Sequence, residues 1–394
     1  MSGISVMFQS LQLMTACLLI INCSACSTGW FGSQCQYKCH CQDMKCSETG
    51  ECVDTSCERG WFDYLCQYQN FMEIPNTFVT GVPSDIPLNW LTDGSDSTCN
   101  NNPGLQSVTV KFELQLVFTW LHLTVKEGEK ADNVALLFEK SGRPGEFIGC
   151  DHIDVVPITK SGRRFELSCY LNEPVSKVIL SGSQLKNLCA LQINGGRNIA
   201  LKQDVSIEEN SQTISQGSSS LAVDGNSSPK YDTCAKPVIS LTLTFNKDFM
   251  ITRILLYARE DFKDLHVKFD LSAYNARNDL QVRVQDYTTD KKKINEVLNG
   301  HWKSPWRYVI VNSTLIEDVM PLCEVEAFGD CPLKTAGLYC ETCEGRCTLG
   351  ECYRDGTCKL GCLGPTIPPL CIQKCTQGTW GKDCIHSCSN QCSH

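Results

Sequence analysis

The chain has 394 residues, enough for two to three domains, and 28 of them are cysteine. A cysteine share near 7% points to an oxidising compartment, in the secretory pathway or outside the cell, and argues against a cytosolic enzyme. The net charge of −9 argues against nucleic acid as a partner, because neutralising phosphates takes clustered Lys and Arg. The basic run Lys291–Lys293 sits beside Asp290 and reads as a solvated loop.

Residues 1–25 hold no Asp, Glu, Lys or Arg, and carry an apolar stretch from Leu11 to Ile21 followed by the small residues Cys23 and Ala25. That pattern predicts a signal peptide cut after Ala25. Its removal takes Cys17 and Cys23 and leaves 26 cysteines, an even number. The stretch is short for a membrane span and no second long apolar run follows, so no membrane span is expected in this sequence.

The cysteines crowd the two ends. Residues 26–66 hold eight, residues 331–394 hold twelve, and the long middle holds six. The ends are too small to bury a core, so they read as modules stabilised by cross-links. From Cys39 the run is Cys39, Cys41, Cys46, Cys52, Cys57, Cys66; from Cys343 it is Cys343, Cys347, Cys352, Cys358, Cys362, Cys371. Separate Cys-x8-Cys steps stand at Cys26–Cys35, Cys331–Cys340 and Cys375–Cys384, with Gly and aromatic residues in the loops (Gly29-Trp30-Phe31-Gly32, Gly60-Trp61-Phe62). Glycine suits the tight turn, and the aromatic is expected to pack on the bridge. Spacing alone leaves fifteen connectivities open for six cysteines.

This spacing resembles laminin-type and multiple-EGF-like repeats, which assigns residues 26–67 to one EGF-like module and 331–394 to further repeats. The resemblance implies the pairs Cys39–Cys46, Cys41–Cys52 and Cys57–Cys66, then Cys343–Cys352, Cys347–Cys358 and Cys362–Cys371. Each Cys-x8-Cys step is expected to close on itself. Cys388 and Cys392 look like the opening of one more repeat: they bridge each other, or the protein continues past His394, where a transmembrane segment could lie.

The middle is duplicated at an offset of roughly 134 residues. Ser107-Val-Thr-Val-Lys-Phe112 matches Ser240-Leu-Thr-Leu-Thr-Phe245, Thr119–Val125 matches Thr252–Ala258, and Leu188–Gly195 matches Leu322–Gly329. Trp90–Cys99 matches the stretch from Leu221 to Cys234. Two homologous domains, 68–194 and 195–330, follow. Polar and apolar residues alternate at period two and helical periodicity is scarce, so both should be all-β, each a β-sandwich or jelly roll. The expected bridges are Cys99–Cys189, Cys150–Cys169 and Cys234–Cys323. The two that close about 90 residues should each add about 4–5 kcal/mol on the loop-entropy model.

The second domain resembles an F-type lectin, a fucolectin with a galactose-binding-like sandwich. The residues that carry this are Asn198-Ile-Ala-Leu-Lys202, Ala222-Val-Asp-Gly-Asn226, Trp306-Arg-Tyr-Val309 and Leu322-Cys-Glu-Val-Glu326. The first domain carries the frame more faintly. The resemblance implies a sugar site built from a His, an Arg-x-Asp step and a further basic residue. Arg259-Glu260-Asp261 supplies the Arg-x-Asp step after a predicted strand, Ile254–Ala258, and His266 holds the later position. The expected His falls near Asp232, and Lys263 is out of register. Arg offers a rigid fan of donors and Asp an acceptor, which suits adjacent hydroxyls; the plain alternative is a surface ion pair. In the first domain Lys126-Glu127-Gly128 replaces the step, so no such site is expected there.

The same resemblance implies a structural Ca²⁺ held by Asp224, Asn226 and Glu324 with the backbone carbonyls of Leu221 and Cys323. Oxygen ligands of this kind suit calcium rather than zinc. The alternative is that Asp224-Gly225-Asn226 is only a turn. In the first domain Asp93, Ser95 and Asp96 are present, but Ala190 replaces the glutamate. Sequons at Asn226 and Asn312 predict N-glycans. With no nucleophile elbow, phosphate loop or HExxH motif, the reading is a non-enzymatic, secreted or cell-surface recognition protein. Its partners would be glycans or cell-surface glycoproteins. The alternatives are a structural or adhesive protein with protein ligands and a lost sugar site, or a lipid-binding sandwich.

Overall fold

The computed structural model describes residues 26–388 except 132, 151, 159–161, 210–211, 215–217, 229–233, 236–238, 259–266, 290–292, 298–303 and 314–321. The described residues form strands, turns and short 3₁₀ segments, with no α-helix among them. Two β-sandwiches are flanked by disulfide-rich modules, and each sandwich has its own apolar core. No helix among the described residues is long and apolar enough to cross a membrane.

In the first sandwich a five-stranded sheet runs Phe78–Val82, Ser107–Leu116, Val175–Ser181, Ala135–Lys140, Phe147–Gly149. The facing sheet runs Asp154–Pro157, Arg164–Ser168, Trp120–Val125, Leu188–Ile193, all antiparallel. Alternation sorts the Trp120–Val125 strand. Leu121, Leu123 and Val125 enter the core, while Trp120, His122 and Thr124 point the other way. That outer face is buried too, because Phe62 and Tyr68 of the N-terminal module pack on Trp120.

The second sandwich turns one strand through both layers. Ser240–Ala258 pairs through its first half with Asp204–Glu209 and Trp306–Ser313, and through its second half with Leu322–Asp330 and Lys293–Val297. The register slips between Thr244 and Phe249, where the chain changes sheet. Ser107–Leu116 and Trp120–Val125 cover the same ground in the first sandwich as two separate strands.

Twelve bridges close among the described residues. In the modules they join Cys26–Cys35, Cys39–Cys46, Cys41–Cys52, Cys57–Cys66, Cys331–Cys340, Cys343–Cys352, Cys347–Cys358, Cys362–Cys371 and Cys375–Cys384. In the sandwiches they join Cys99–Cys189, Cys150–Cys169 and Cys234–Cys323. Cys392 lies outside the described residues, as do residues 1–25. The loop aromatics depart from expectation. Phe31 packs against Cys39 and Cys41, but Trp61 stacks on His40 at 3.5 Å and Phe62 leaves its own module for Trp120. A module this small has no interior for two rings, so one is buried in the neighbouring sandwich.

The sandwiches meet along a narrow seam. Gln69 N donates to Gly196 O and Gly195 N to Gln69 O. A Cβ on Gly195 would stand 2.5 Å from the Phe71 ring and 2.9 Å from the Gln69 carbonyl oxygen, so only glycine allows this approach. Arg253 is clasped between Phe71 and Phe328, with its guanidinium carbon 5.1 and 4.2 Å from the two ring centroids. Burial brings its pKa down to about 10.

A second junction gathers charge. Asp330, 4% exposed, accepts hydrogen bonds from Tyr68 Oη (2.8 Å), Trp120 Nε1 (3.3 Å), Cys331 N (2.8 Å) and Arg354 Nη1 (2.5 Å). Arg354 also grips Glu166 of the first sandwich through Nε (3.1 Å) and Nη2 (3.0 Å), and lies 4.4 Å over the Trp120 ring. Burial by itself would raise the Glu166 carboxyl, but the Arg354 charge and the hydrogen bonds from His122 and Arg354 together outweigh it and hold the group well below the usual carboxylate range. Its stabilising contribution is therefore complete above the ordinary glutamate pKa and is lost as the pH falls beneath it. Arg354→Met should cost about 3–5 kcal/mol in chemical denaturation, since it strands two buried carboxylates. Chemical denaturation of the wild type followed by Trp120 fluorescence should show stability falling as the pH drops below about 4.3, whereas stability flat to pH 2 would contradict the assignment.

Candidate functional site

At one corner of the second sandwich a turn meets the last strand. The 3₁₀ segment Ser218–Val223 buries Ala222 and Val223 and is tied down by Lys202 N donating to Val223 O. The chain then turns through Asp224-Gly225-Asn226, where Asp224 Oδ1 accepts from Asn226 N at 2.8 Å and Gly225 takes φ +81°. Glu324 faces this turn from the Leu322–Asp330 strand, beside the Cys234–Cys323 bridge.

Glu324 is fully buried. Its Oε1 accepts from Gly225 N at 3.1 Å, but its Oε2 has no hydrogen-bond partner. Burial, followed by the charge on Asp224, pushes its carboxyl up to about 9. A buried carboxyl with an unsatisfied oxygen beside a second carboxylate is costly, and a hard cation would relieve it. Cys323 sits at a bulge where the register passes from Tyr257↔Glu324 to Ala258↔Leu322, leaving it outside the cross-strand pairs. Leu221 is half-buried at the start of the turn. Asn226 is exposed, and its amide oxygen accepts from Ser228 N at 3.2 Å.

Two contacts at this corner come from far away in the chain. Lys38 of the N-terminal module donates to Gly225 O at 2.9 Å, and Trp30 stands where a Cβ on Gly225 would meet it at 3.3 Å. Lys202 lies 4.6 Å over the Trp30 ring. Nothing in the spacing around Lys38 or Trp30 announces this placement; the Gly-Trp-Phe loop marks only a turn. Arg259, Asp261 and His266 lie outside the described residues, as do Asp232 and Lys263. The strand that leads to them ends at Ala258, opposite Leu322, which is one residue from Cys323 and two from Glu324.

The first sandwich has the same frame and a different filling. Its bulge falls at Cys189, between Leu188↔Val125 and Ala190↔Thr124, and Asn100 N donates to Leu188 O as Ala235 N does to Leu322 O. Asp93 Oδ1 holds Ser95 N at 2.8 Å. Ala190 offers no carboxylate. Instead Arg163 donates to Asp96 O (2.8 Å) and Val125 O (3.1 Å), and Arg164 pairs with the Asp96 carboxylate. Arginine side chains supply positive charge to that loop.

Elsewhere among the described residues, close-set ligand atoms occur at Cys41, Cys52 and Cys66 and at Cys362, Cys371 and Asp383. Those sulfurs are spent in bridges and cannot act as thiolate ligands.

No family model matches the chain, and no curated protein sequence does. Solved structures similar to it include a fucose binding module of Streptococcus pneumoniae (20% identity, 33% of this chain and 96% of that one, TM-score 0.28). Others are the lectin domain of lectinolysin complexed with Lewis B antigen (20%, 34% and 96%, 0.29) and an F-lectin (fucolectin) from striped bass, Morone saxatilis, serum (16%, 64% and 96%, 0.28). An allantoicase is also among them (12%, 57% and 77%, 0.26).

Asn312 is exposed at the end of its strand, with its Oδ1 accepting from Ser240 Oγ at 2.6 Å. Peptide mapping of protein from a secreting eukaryotic host should find a glycan on Asn312, and an unmodified Asn312 would place that strand end under cover.

Proposed function

We propose that this chain is an extracellular recognition protein that binds glycans without turning them over, using the second sandwich. The observation that carries this reading is the acidic corner: the buried Glu324 with its unpartnered oxygen, facing Asp224 at the root of the segment that bears Arg259 and Asp261. A calcium ion there would be held by the Asp224 and Glu324 carboxylates with the carbonyls of Leu221 and Cys323. Asn226 is the weakest ligand of the set, since its oxygen already caps Ser228 N and its nitrogen belongs to a sequon. When bound, the cation supplies fixed positive charge that ties the turn to the strand. The protein's own groups do the recognition. Arg259 presents donors and Asp261 an acceptor to neighbouring hydroxyls, with His266 as a third contact. Secretion follows from the disulfide content, and the partners would be glycans of cell-surface glycoproteins.

Two experiments separate the parts of this reading. Calcium at a hundred times its dissociation constant should stabilise the wild type by about 2.7 kcal/mol, seen as a rise in Tm. Glu324→Gln should melt like the cation-free wild type and show no calcium response. Equal responses in both would remove Glu324 from the site. On a glycan array the wild type should give saturable signal that free sugar competes away. Arg259→Ala should weaken it by about 10- to 150-fold, the worth of a charge-assisted hydrogen bond, with Tm unchanged. A blank array together with capture of a protein ligand would favour the adhesive reading.

A further inference from the structure

The Cys-x8-Cys loops of the end modules fold as small closed hairpins, and the fifth residue after the first cysteine holds the same place in each. Phe31, Phe62, Ala336 and Trp380 stand there, paired across the hairpin with Tyr37, Tyr68, Glu341 and His386. The first and last of these hairpins agree bond for bond. Cys39 N donates to Gly29 O at 2.8 Å and Cys388 N to Gly378 O at 2.7 Å. Cys35 N donates to Gly32 O at 3.0 Å and Cys384 N to Gly381 O at 3.1 Å. Phe31 lies 5.4 Å from the Tyr37 ring, and Trp380 lies 4.7 Å from the His386 ring.

What differs is the cover. Phe31, 1% exposed, packs on Cys39 and Cys41 with Cys46 and Cys52 beside them, so it rests on the two bridges that open the following module. Gly50 makes room for the ring, since a Cβ there would stand 2.2 Å from it. Ala336, 5% exposed, rests in the same way on the Cys343–Cys352 and Cys347–Cys358 bridges. Phe62, 1% exposed, meets Trp120 of the first sandwich instead. In the Cys362–Cys371 loop the equivalent Ile367 is half-buried. Trp380 is 54% exposed, and Ile385, the residue before its partner His386, is 71% exposed. The face that forms an interface in three hairpins is therefore bare in the last, where it carries the largest ring of the series. Tryptophan buries much area at little entropic cost and commonly anchors interfaces.

We propose that the Trp380 face docks a partner module rich in disulfides, with the indole seated on that module's first two bridges as Phe31 is seated on Cys39–Cys46 and Cys41–Cys52. The partner must offer an opening pair of bridges that nothing yet covers. Both such pairs among the described residues are already taken, one by Phe31 and one by Ala336, so a second copy of this chain has none to give. The surface is independent of the acidic corner and of any sugar.

The probe is an oxidised peptide of residues 39–66, whose opening bridges are bared of Phe31; the control is residues 26–66, where Phe31 still covers them. Both are used once mass mapping finds the Cys39–Cys46, Cys41–Cys52 and Cys57–Cys66 pairs, and both carry Phe62, so unspecific adhesion is common to the two. They are titrated into the full chain labelled with ¹⁵N-tryptophan, the Trp380 indole resonance being the one lost in Trp380→Phe. The shorter peptide should shift that resonance saturably and the longer one should bind about tenfold more weakly or worse. By calorimetry, Trp380→Ala should weaken the shorter peptide about tenfold or more, and Trp380→Phe should retain it. Hydroxyl-radical footprinting of the wild type supplies a reading that needs no variant: oxidation of Trp380 should fall when the shorter peptide is added. Equal binding of the two peptides, an unaltered Trp380→Ala, undiminished oxidation of Trp380 or no saturable binding would each overturn the proposal. A Trp380 resonance that moves with protein concentration alone would put a second copy on this face and overturn the choice of partner.

Discussion

Asp330 is where this molecule is held together. It ends the last strand of the second sandwich and precedes the first cysteine of the C-terminal modules. Its two oxygens receive Tyr68 from the N-terminal module, Trp120 from the first sandwich and Arg354 from a C-terminal module. Four parts of the chain therefore share one buried carboxylate. Buried charge is costly unless every lone pair is used, and here the geometry uses them, with Arg354 answering both Asp330 and Glu166. The arrangement fixes how the modules are set against the sandwiches. Disulfides close each module internally and cannot do this.

The duplicated sandwiches show two solutions to one electrostatic problem. Both place a turn rich in acidic and polar residues against a bulged, bridged strand. In the first, Arg163 and Arg164 reach the turn and Ala190 removes the opposing carboxylate. In the second, Glu324 faces Asp224 with no arginine described between them, and burial with the Asp224 charge holds its carboxyl up at about 9. The same frame carries arginines at this corner in one copy and two facing carboxyl groups in the other.

Much of the architecture was readable in the residues. The alternation in Ser240–Phe245 and its match to Ser107–Phe112 gave strands that the structure extends rather than moves. What escaped was everything between modules. Asp330 looks like any acid before a cysteine, since its partners Tyr68 and Trp120 lie 262 and 210 residues away. Phe62 was read as a loop aromatic because local spacing encodes the turn and says nothing of what packs above it. Glu324 is an expected oxygen ligand only through resemblance. That its second oxygen is unpartnered depends on three-dimensional burial, which no motif records.

The N-terminal module is made before the partners that cover it. Tyr37 donates to Leu338 O and Tyr68 to Asp330, contacts that span 301 and 262 residues. A chain emerging from the ribosome would complete the bridges of residues 26–66 long before either partner exists. During that interval Phe62 and Tyr68 have no Trp120 to cover them, and Trp30 has no Gly225. The early module must therefore wait, cross-linked but with its apolar side open to solvent, until the rest of the polypeptide has been translated and has closed over it.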